Sequence, residues 1–184
     1  AAFLARIALW QAPLRDLQIH GFALLMILGV SHFILDKLYH LPRPTSRKSL
    51  SILVLINLAL LAEAGGFVAM RIGGHPYVAG WYFGVLLLLG AVAALVWSWR
   101  LDRPVWRPDR SVKFIRAAYL WLVISLAMLV LLPAYQFGVL RVFAPESQAA
   151  ALGFSHAYYG AIRHAATVGF ISMMILGVAA KFVP

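Results

Sequence analysis

The sequence contains no cysteine and has little charge. Without cysteine the chain cannot form disulfides, thiolate metal centres or the covalent attachment of a c-type haem. Charged residues make up 12% of the 184 residues, whereas hydrophobic residues make up 63%. A soluble domain carries about 25% charged residues, so this composition excludes an ordinary soluble domain and predicts an integral membrane protein.

Long apolar runs dominate the chain. A helix needs about 20 mostly apolar residues to cross a bilayer. Five such runs are present, at residues 17–35, 50–70, 77–99, 114–137 and 157–183. We therefore expect an all-α transmembrane bundle of five spans that forms a single membrane domain over residues 1–184. Residues 1–16 are too short and too charged to span, so we interpret them as an interfacial segment or the end of an earlier span, and the chain as a fragment of a longer one.

Basic residues accumulate in two loops, 36–49 and 100–113. Few basic residues lie on the opposite side of the predicted membrane, and Arg6 is one of these few. The loops contain Lys37, Arg43, Arg47 and Lys48 in the first and Arg100, Arg103, Arg107, Arg110 and Lys113 in the second. Lysine and arginine favour cytoplasmic loops. We therefore expect both loops in the cytoplasm, a multi-pass protein of the bacterial inner membrane, and no nucleic-acid partner despite a net charge of +10.

One stretch of the sequence occurs twice. HGFALLMILGV at residues 20–30 returns as VGFISMMILGV at residues 168–178. Both copies lie in spans that point the same way under the predicted topology, so the first and last spans are candidate parallel repeats. The repeated glycines provide small-residue faces, for which helix packing alone is an equally good explanation.

Two histidines lie at similar predicted depth near the outer ends of the repeated spans. Ionisable groups inside a span are costly and tend to mark functional sites, and neutral imidazole is the commonest metal ligand. His20 and His164 are therefore candidate ligands of a haem iron near the periplasmic face, with Arg163 beside them to neutralise a propionate. The alternative is that each imidazole hydrogen-bonds to a neighbouring helix or to water. His156 is better explained as a solvated helix cap, and the role of His32 stays open.

Glu63 is an acidic residue deep in the second predicted span. Such a group is rarely exposed to lipid and usually has a partner. Glu63 could accept a hydrogen bond from the ring N–H of a ligating histidine, or it could act in a proton relay. The alternative is a carboxyl group that is satisfied inside the bundle and has no further role.

Two segments resemble known families. IHGFALLMILGVSHFILDKLYHLP resembles the second helix of haem-copper oxidase subunit I, where a His-Gly pair opens an apolar helix and the histidine binds the low-spin haem. RHAATVGFISMMILGVAAKFVP resembles the His-Ala-x-Thr-Val-Gly segment of NnrS-like proteins, a membrane family with haem and copper associated with nitric oxide metabolism. The resemblance covers two spans and implies His20 and His164 as axial ligands. In the oxidases the late helix that this second segment also resembles has a His-x-His pair, whereas position 162 here is isoleucine. Their copper site also needs adjacent histidines and a His-Tyr pair, which no predicted span offers, so copper would need residues outside this chain.

The leading hypothesis is a haem-binding inner-membrane protein that holds a haem b for electron transfer or nitric oxide handling. Its expected partners are the lipid bilayer, other membrane subunits and a redox partner on the periplasmic side. Whether the chain is an enzyme, and which residues would be catalytic, stays open. The main alternative is a cofactor-free anchor or scaffold subunit of a larger respiratory complex. A transporter is the weaker alternative, supported by the parallel repeats and by Glu63.

Overall fold

The structure is a computed structural model that describes residues 7, 10–11, 13–101, 103, 109–143 and 148–183. These residues contain helices and no strand, which confirms the all-α fold class. Among them are five helices that are long and apolar enough to cross a membrane, as expected of a multi-pass membrane protein. We name them α1 (Pro13–Tyr39), α2 (Ser46–Gly73), α3 (Val78–Ser98), α4 (Arg110–Val130) and α5 (Gly153–Phe182). Arg6 and Arg107, both part of the predicted charge asymmetry, lie outside the described residues.

The ends of the spans differ from the sequence prediction. The described part of helix α1 includes residues 13–16, so the last residues of the predicted interfacial segment belong to the first span. Helix α4 ends at Val130, before the predicted end at 137, because Pro133 opens a separate short helix, Leu132–Ala134. A π-helical stretch, Tyr135–Val139, and a last turn, Leu140–Val142, follow. Pro133 thus lies just beyond the end of α4, inside the run predicted as a single span.

The last span begins earlier than its apolar run. A helix over Gln148–His164 includes the first part of α5. His156 therefore lies within a helix, where it is exposed, and its interpretation as a helix cap is wrong. Hydropathy alone misplaced the start because the preceding residues are small and helix-compatible rather than strongly apolar.

The chain divides into two compact units, Ala1–Asp109 and Arg110–Pro184. The first unit contains α1, α2 and α3, and the second contains α4 and α5. The single membrane domain expected from the sequence stays a prediction.

In the first unit, α2 and α3 form a hairpin around a short 3₁₀ helix, His75–Tyr77. Their backbones meet at two glycines. A Cβ at Gly66 would collide with the backbone of Trp81, and a Cβ at Gly84 would collide with the backbone nitrogen of Glu63. Small residues allow this close approach. The contact fixes the backbone of α2 at the residue that carries the buried carboxylate.

In the second unit, α4 packs along α5. A Cβ at Gly169 would lie 2.5 Å from Cγ of Trp121, and a Cβ at Gly177 would lie 2.8 Å from Cγ1 of Ile115. The hydroxyl of Ser125 donates a hydrogen bond of 2.9 Å to the carbonyl oxygen of Ile162. Helix packing therefore accounts for both glycines of the second repeat copy.

The two repeat copies share an unusual backbone form. Leu17–Leu24 in α1 and Ala165–Ser172 in α5 are both π-helical. With Gly21 aligned to Gly169, these two π-helical segments occupy the same positions of the repeat. π-Helical turns are rare and frequently lie at functional sites. His20 lies inside the first π-helical segment, and His164 directly precedes the second.

Candidate ligand histidines

His20 forms a buried pair with Glu63 inside the first unit. Its Nδ1 lies 3.0 Å from Oε1 and 3.3 Å from Oε2 of the Glu63 carboxylate. The two residues are only 7% and 3% exposed. An ionised carboxylate can only accept, so the ring donates through Nδ1–H. In the neutral imidazole, Nε2 is then left with a lone pair.

The backbone of the two helices positions this pair. Glu63 lies on α2 at the close contact with Gly84 of α3, which holds its backbone in place. His20 lies in the π-helical segment of α1, packed on α2. A buried carboxylate in an apolar helix needs a partner, and the His20 ring supplies it.

A small cavity borders Glu63. It has a volume of about 10 Å³ and is lined by Pro13, Asp16, Leu17, Leu60, Glu63, Ala64 and Phe67. That is the space that a single water molecule requires. It is far too small for a porphyrin, so a haem at His20 would have to approach Nε2, on the side of the ring away from Glu63.

His164 is held in a similar way in the second unit. Its Nδ1 donates a hydrogen bond of 2.8 Å to the carbonyl oxygen of Gly160, one turn earlier on the same helix. A carbonyl can only accept, so Nε2 of the neutral ring again has the lone pair. The ring is exposed at the surface of the chain, and Arg163 beside it is half-buried. The propionate role of Arg163 stays a prediction.

His20 and His164 therefore share one chemical feature. In both, Nδ1 donates to a fixed acceptor, a carboxylate in one case and a backbone carbonyl in the other. Metal-binding histidines typically donate their second ring N–H to such acceptors, which fixes the tautomer and orients the ring. The donor chemistry of both residues fits axial ligation of a haem iron.

His32 has the opposite arrangement. Nε of Arg43 donates to its Nε2 at 3.3 Å. Because a guanidinium can only donate, Nε2 of His32 is the accepting nitrogen and is already engaged. In His32 the nitrogen Nε2 already accepts a hydrogen bond, which distinguishes it from the two predicted ligands. The spacing of histidines in the sequence did not show this difference.

The structure brings His20 and Glu63 together, whereas the sequence offered a ligating histidine only as one possible partner of Glu63 and did not say which. His20 belongs to the first unit and His164 to the second, and their binding to one iron stays a prediction. Within the described part of the chain, no group of three or more histidine, aspartate or glutamate side chains is arranged to hold a metal ion. A haem differs from such a site, because the porphyrin supplies four ligands and the protein only the axial ones.

Comparison of the chain with protein-family models, with curated proteins and with solved structures found no match. The resemblance to NnrS-like proteins and to haem-copper oxidase subunit I therefore rests on the residues quoted above and stays a prediction.

Proposed function

We propose that the chain is a haem-binding membrane protein that serves electron transfer or nitric oxide handling, with His20 and His164 as the candidate iron ligands. The observation that supports this proposal is the shared anchoring of Nδ1 in the two histidines. It leaves Nε2 of each neutral ring as the nitrogen with a lone pair, which an axial ligand requires.

The residues around His20 have defined tasks under this proposal. Glu63 orients the ring and raises the basicity of Nε2 through the hydrogen bond to Nδ1. The close contact at Gly84 keeps the Glu63 backbone in place. A bound haem b would supply one-electron chemistry, and its reduction potential would depend on the axial ligands and on burial. Arg163 is the candidate partner of a propionate.

The proposed setting follows from the charge pattern and the spans. Loops 36–49 and 100–113 would face the cytoplasm of a bacterial cell with the chain in the inner membrane. His20 lies near the opposite ends of the helices, so a redox partner would act from the periplasmic side. Other membrane subunits are further expected partners.

The absorption spectrum of the purified full chain tests the proposal. We expect a Soret band that is lost in His20→Gln and in His164→Gln. Glutamine is chosen because its amide can still donate to Glu63 or to the Gly160 carbonyl but does not ligate iron well. His156→Gln is the matched control, since His156 is also exposed and lies on the same helix as His164. Its haem content should equal that of the wild type.

Two outcomes would overturn the proposal. One is a protein that stays colourless when it is expressed with sufficient haem and remains folded. The other is a full haem content in both ligand variants. Colourless protein that co-purifies with other membrane subunits would favour the anchor or scaffold role instead.

A proton relay is a second candidate function. It is favoured by the water-sized cavity that lies against Glu63 and is lined also by Asp16. Two carboxyl groups at such a cavity, one of them paired with the His20 imidazole, are the kind of groups that carry protons in membrane proteins. Proteoliposomes with an internal pH-sensitive dye would report proton flux driven by a potassium diffusion potential. A flux that Glu63→Gln abolishes, in protein free of haem, would support this candidate over the first.

A further inference from the structure

A large groove lies in the first unit, at the end of the helices opposite His20. Its volume is about 580 Å³, and ligand sites in proteins typically measure about 300–1,000 Å³. Its lining residues come from α1, from α2, from the loop between them and from the end of α3.

Most of the groove is apolar. Leucine and isoleucine side chains of α1 and α2 form its walls, and Leu50 and Leu53 are 61% and 49% exposed. A Cβ at Gly29 would meet no atom within 4 Å, so the missing side chain leaves open space beside α1. This part of the groove suits a hydrocarbon chain.

The other end of the groove is polar and basic. Nε of Arg43 donates to Nε2 of His32 at 3.3 Å, and the hydroxyl of Ser49 lies 3.4 Å from the same nitrogen. Nη1 of Arg43 lies 3.8 Å from Oδ2 of Asp36, a long contact in which the Arg43 side chain remains 56% exposed. A guanidinium has five N–H donors, so Arg43 retains donors for an anion.

The loop that carries Arg43 is shaped by its sequence. Helix α1 ends at Tyr39, and the residue that follows, His40, adopts the left-handed conformation with φ 51°. Pro42 and Pro44 oppose continuation of the helix. Helix α2 starts after Thr45, whose hydroxyl accepts a hydrogen bond from the backbone nitrogen of Lys48. The short connection places Arg43 at the mouth of the groove.

We propose that this groove binds an acidic phospholipid, with the phosphate at Arg43 and an acyl chain along the apolar wall beside Gly29. Charge complementarity favours this occupant, because loop 36–49 has four basic residues and one acidic residue, Asp36. Basic pockets between transmembrane helices on the cytoplasmic side are suited to anionic headgroups. The predominance of apolar lining favours a lipid over a small soluble anion.

Native mass spectrometry of the detergent-purified full chain tests the proposal, with phosphatidylglycerol and phosphatidylcholine of the same acyl chains as probes. We expect one phosphatidylglycerol to bind in preference to phosphatidylcholine. Arg43→Gln should weaken phosphatidylglycerol binding by about fivefold, the effect of one basic residue at an anionic lipid. Arg47→Gln is the matched control, because Arg47 is also exposed but lies in the first turn of α2 and does not line the groove. Its variant should lose much less phosphatidylglycerol binding than Arg43→Gln.

A second pair of variants tests the acyl-chain part of the groove. Gly29→Leu should fill the open space and reduce binding of both lipids. Gly90→Leu is its control, because a Cβ there also meets no atom within 4 Å and Gly90 does not line the groove. Equal binding of the two phospholipids by the wild type would overturn the proposal, as would wild-type binding in both Arg43→Gln and Gly29→Leu. Displacement of phosphatidylglycerol by millimolar inorganic phosphate would identify a soluble anion as the occupant and overturn it too.

Discussion

The two copies of the repeat have the same backbone form and different surroundings. Both contain a π-helical segment at the same positions, Leu17–Leu24 and Ala165–Ser172. In the first copy a histidine is buried against a carboxylate of α2, and Gly29 borders open space. In the second copy both glycines pack against α4, and the histidine beside the segment is exposed. The repeated residues thus share the same helical backbone form, whereas the contacts with neighbouring helices determine which of their positions are buried and which form a site.

The largest difference between the copies should appear when each histidine is removed. His20→Ala leaves Glu63 buried without its partner, which typically costs about 3–5 kcal/mol. His164→Ala removes an exposed ring and should change the free energy of unfolding by less than about 0.5 kcal/mol. Both changes in the free energy of unfolding can be measured on haem-free protein by unfolding it with sodium dodecyl sulfate in mixed micelles and following the circular dichroism. Equal losses in the two variants would contradict the described difference in burial.

The first glycine of each copy gives a matched pair. A Cβ at Gly169 would lie against Cγ and Cβ of Trp121, whereas a Cβ at Gly21 would meet only the Leu17 side chain at 3.3 Å. Overpacking of this kind costs about 1–3 kcal/mol, so Gly169→Ala should destabilise the protein by that amount. Gly21→Ala should have little effect. The same unfolding measurement distinguishes them, and a more stable Gly169→Ala would show that α4 does not approach α5 this closely.

The polar contact of the second unit should have an intermediate effect. Ser125 and Ile162 are both buried, and the hydroxyl of Ser125 donates to the Ile162 carbonyl. Loss of one such hydrogen bond costs about 1 kcal/mol, which is the decrease that we expect for Ser125→Ala. Ser51→Ala is the control, because Ser51 is exposed and its hydroxyl donates only within its own helix. Indistinguishable stabilities of the two variants would argue against the contact.

The smallest effect concerns the second glycine of each copy. Gly29→Ala adds a methyl group in open space and replaces the poorest ordinary helix former, so it should stabilise the protein by about 0.5 kcal/mol. Gly177→Ala gains the same helix propensity, but its new methyl group would collide with the Ile115 side chain. We therefore expect no net stabilisation from Gly177→Ala. Thermal unfolding monitored by size-exclusion chromatography can rank the two. A higher midpoint for Gly177→Ala would reverse the assigned roles of these glycines.

Part of this organisation was predictable from the sequence. The five spans follow from hydropathy, because only long apolar helices satisfy their backbone inside a bilayer. The sequence offered a ligating histidine as one possible partner of Glu63, because a carboxyl group in a span must find a polar partner, but it did not say which histidine.

Other features left no readable trace in the sequence. The π-helical segments depend on backbone hydrogen bonding that hydropathy does not encode. The start of the last helix was missed because it precedes the apolar run, which also misled the interpretation of His156. The groove at His32 depends on the path of the loop between α1 and α2. That path brings Arg43 into contact with His32, which is a tertiary contact. The sequence did not show that Gly169 and Gly177 are closely packed whereas Gly29 borders open space. This difference depends on the positions of the neighbouring helices.

The most direct test of the central claim is the electron paramagnetic resonance spectrum of the oxidised, purified chain. Two imidazole ligands predict a low-spin ferric signal that His20→Gln and His164→Gln each remove, while His156→Gln leaves it unchanged. A high-spin signal in the wild type, or a low-spin signal that survives both ligand substitutions, would contradict the assignment of these two histidines.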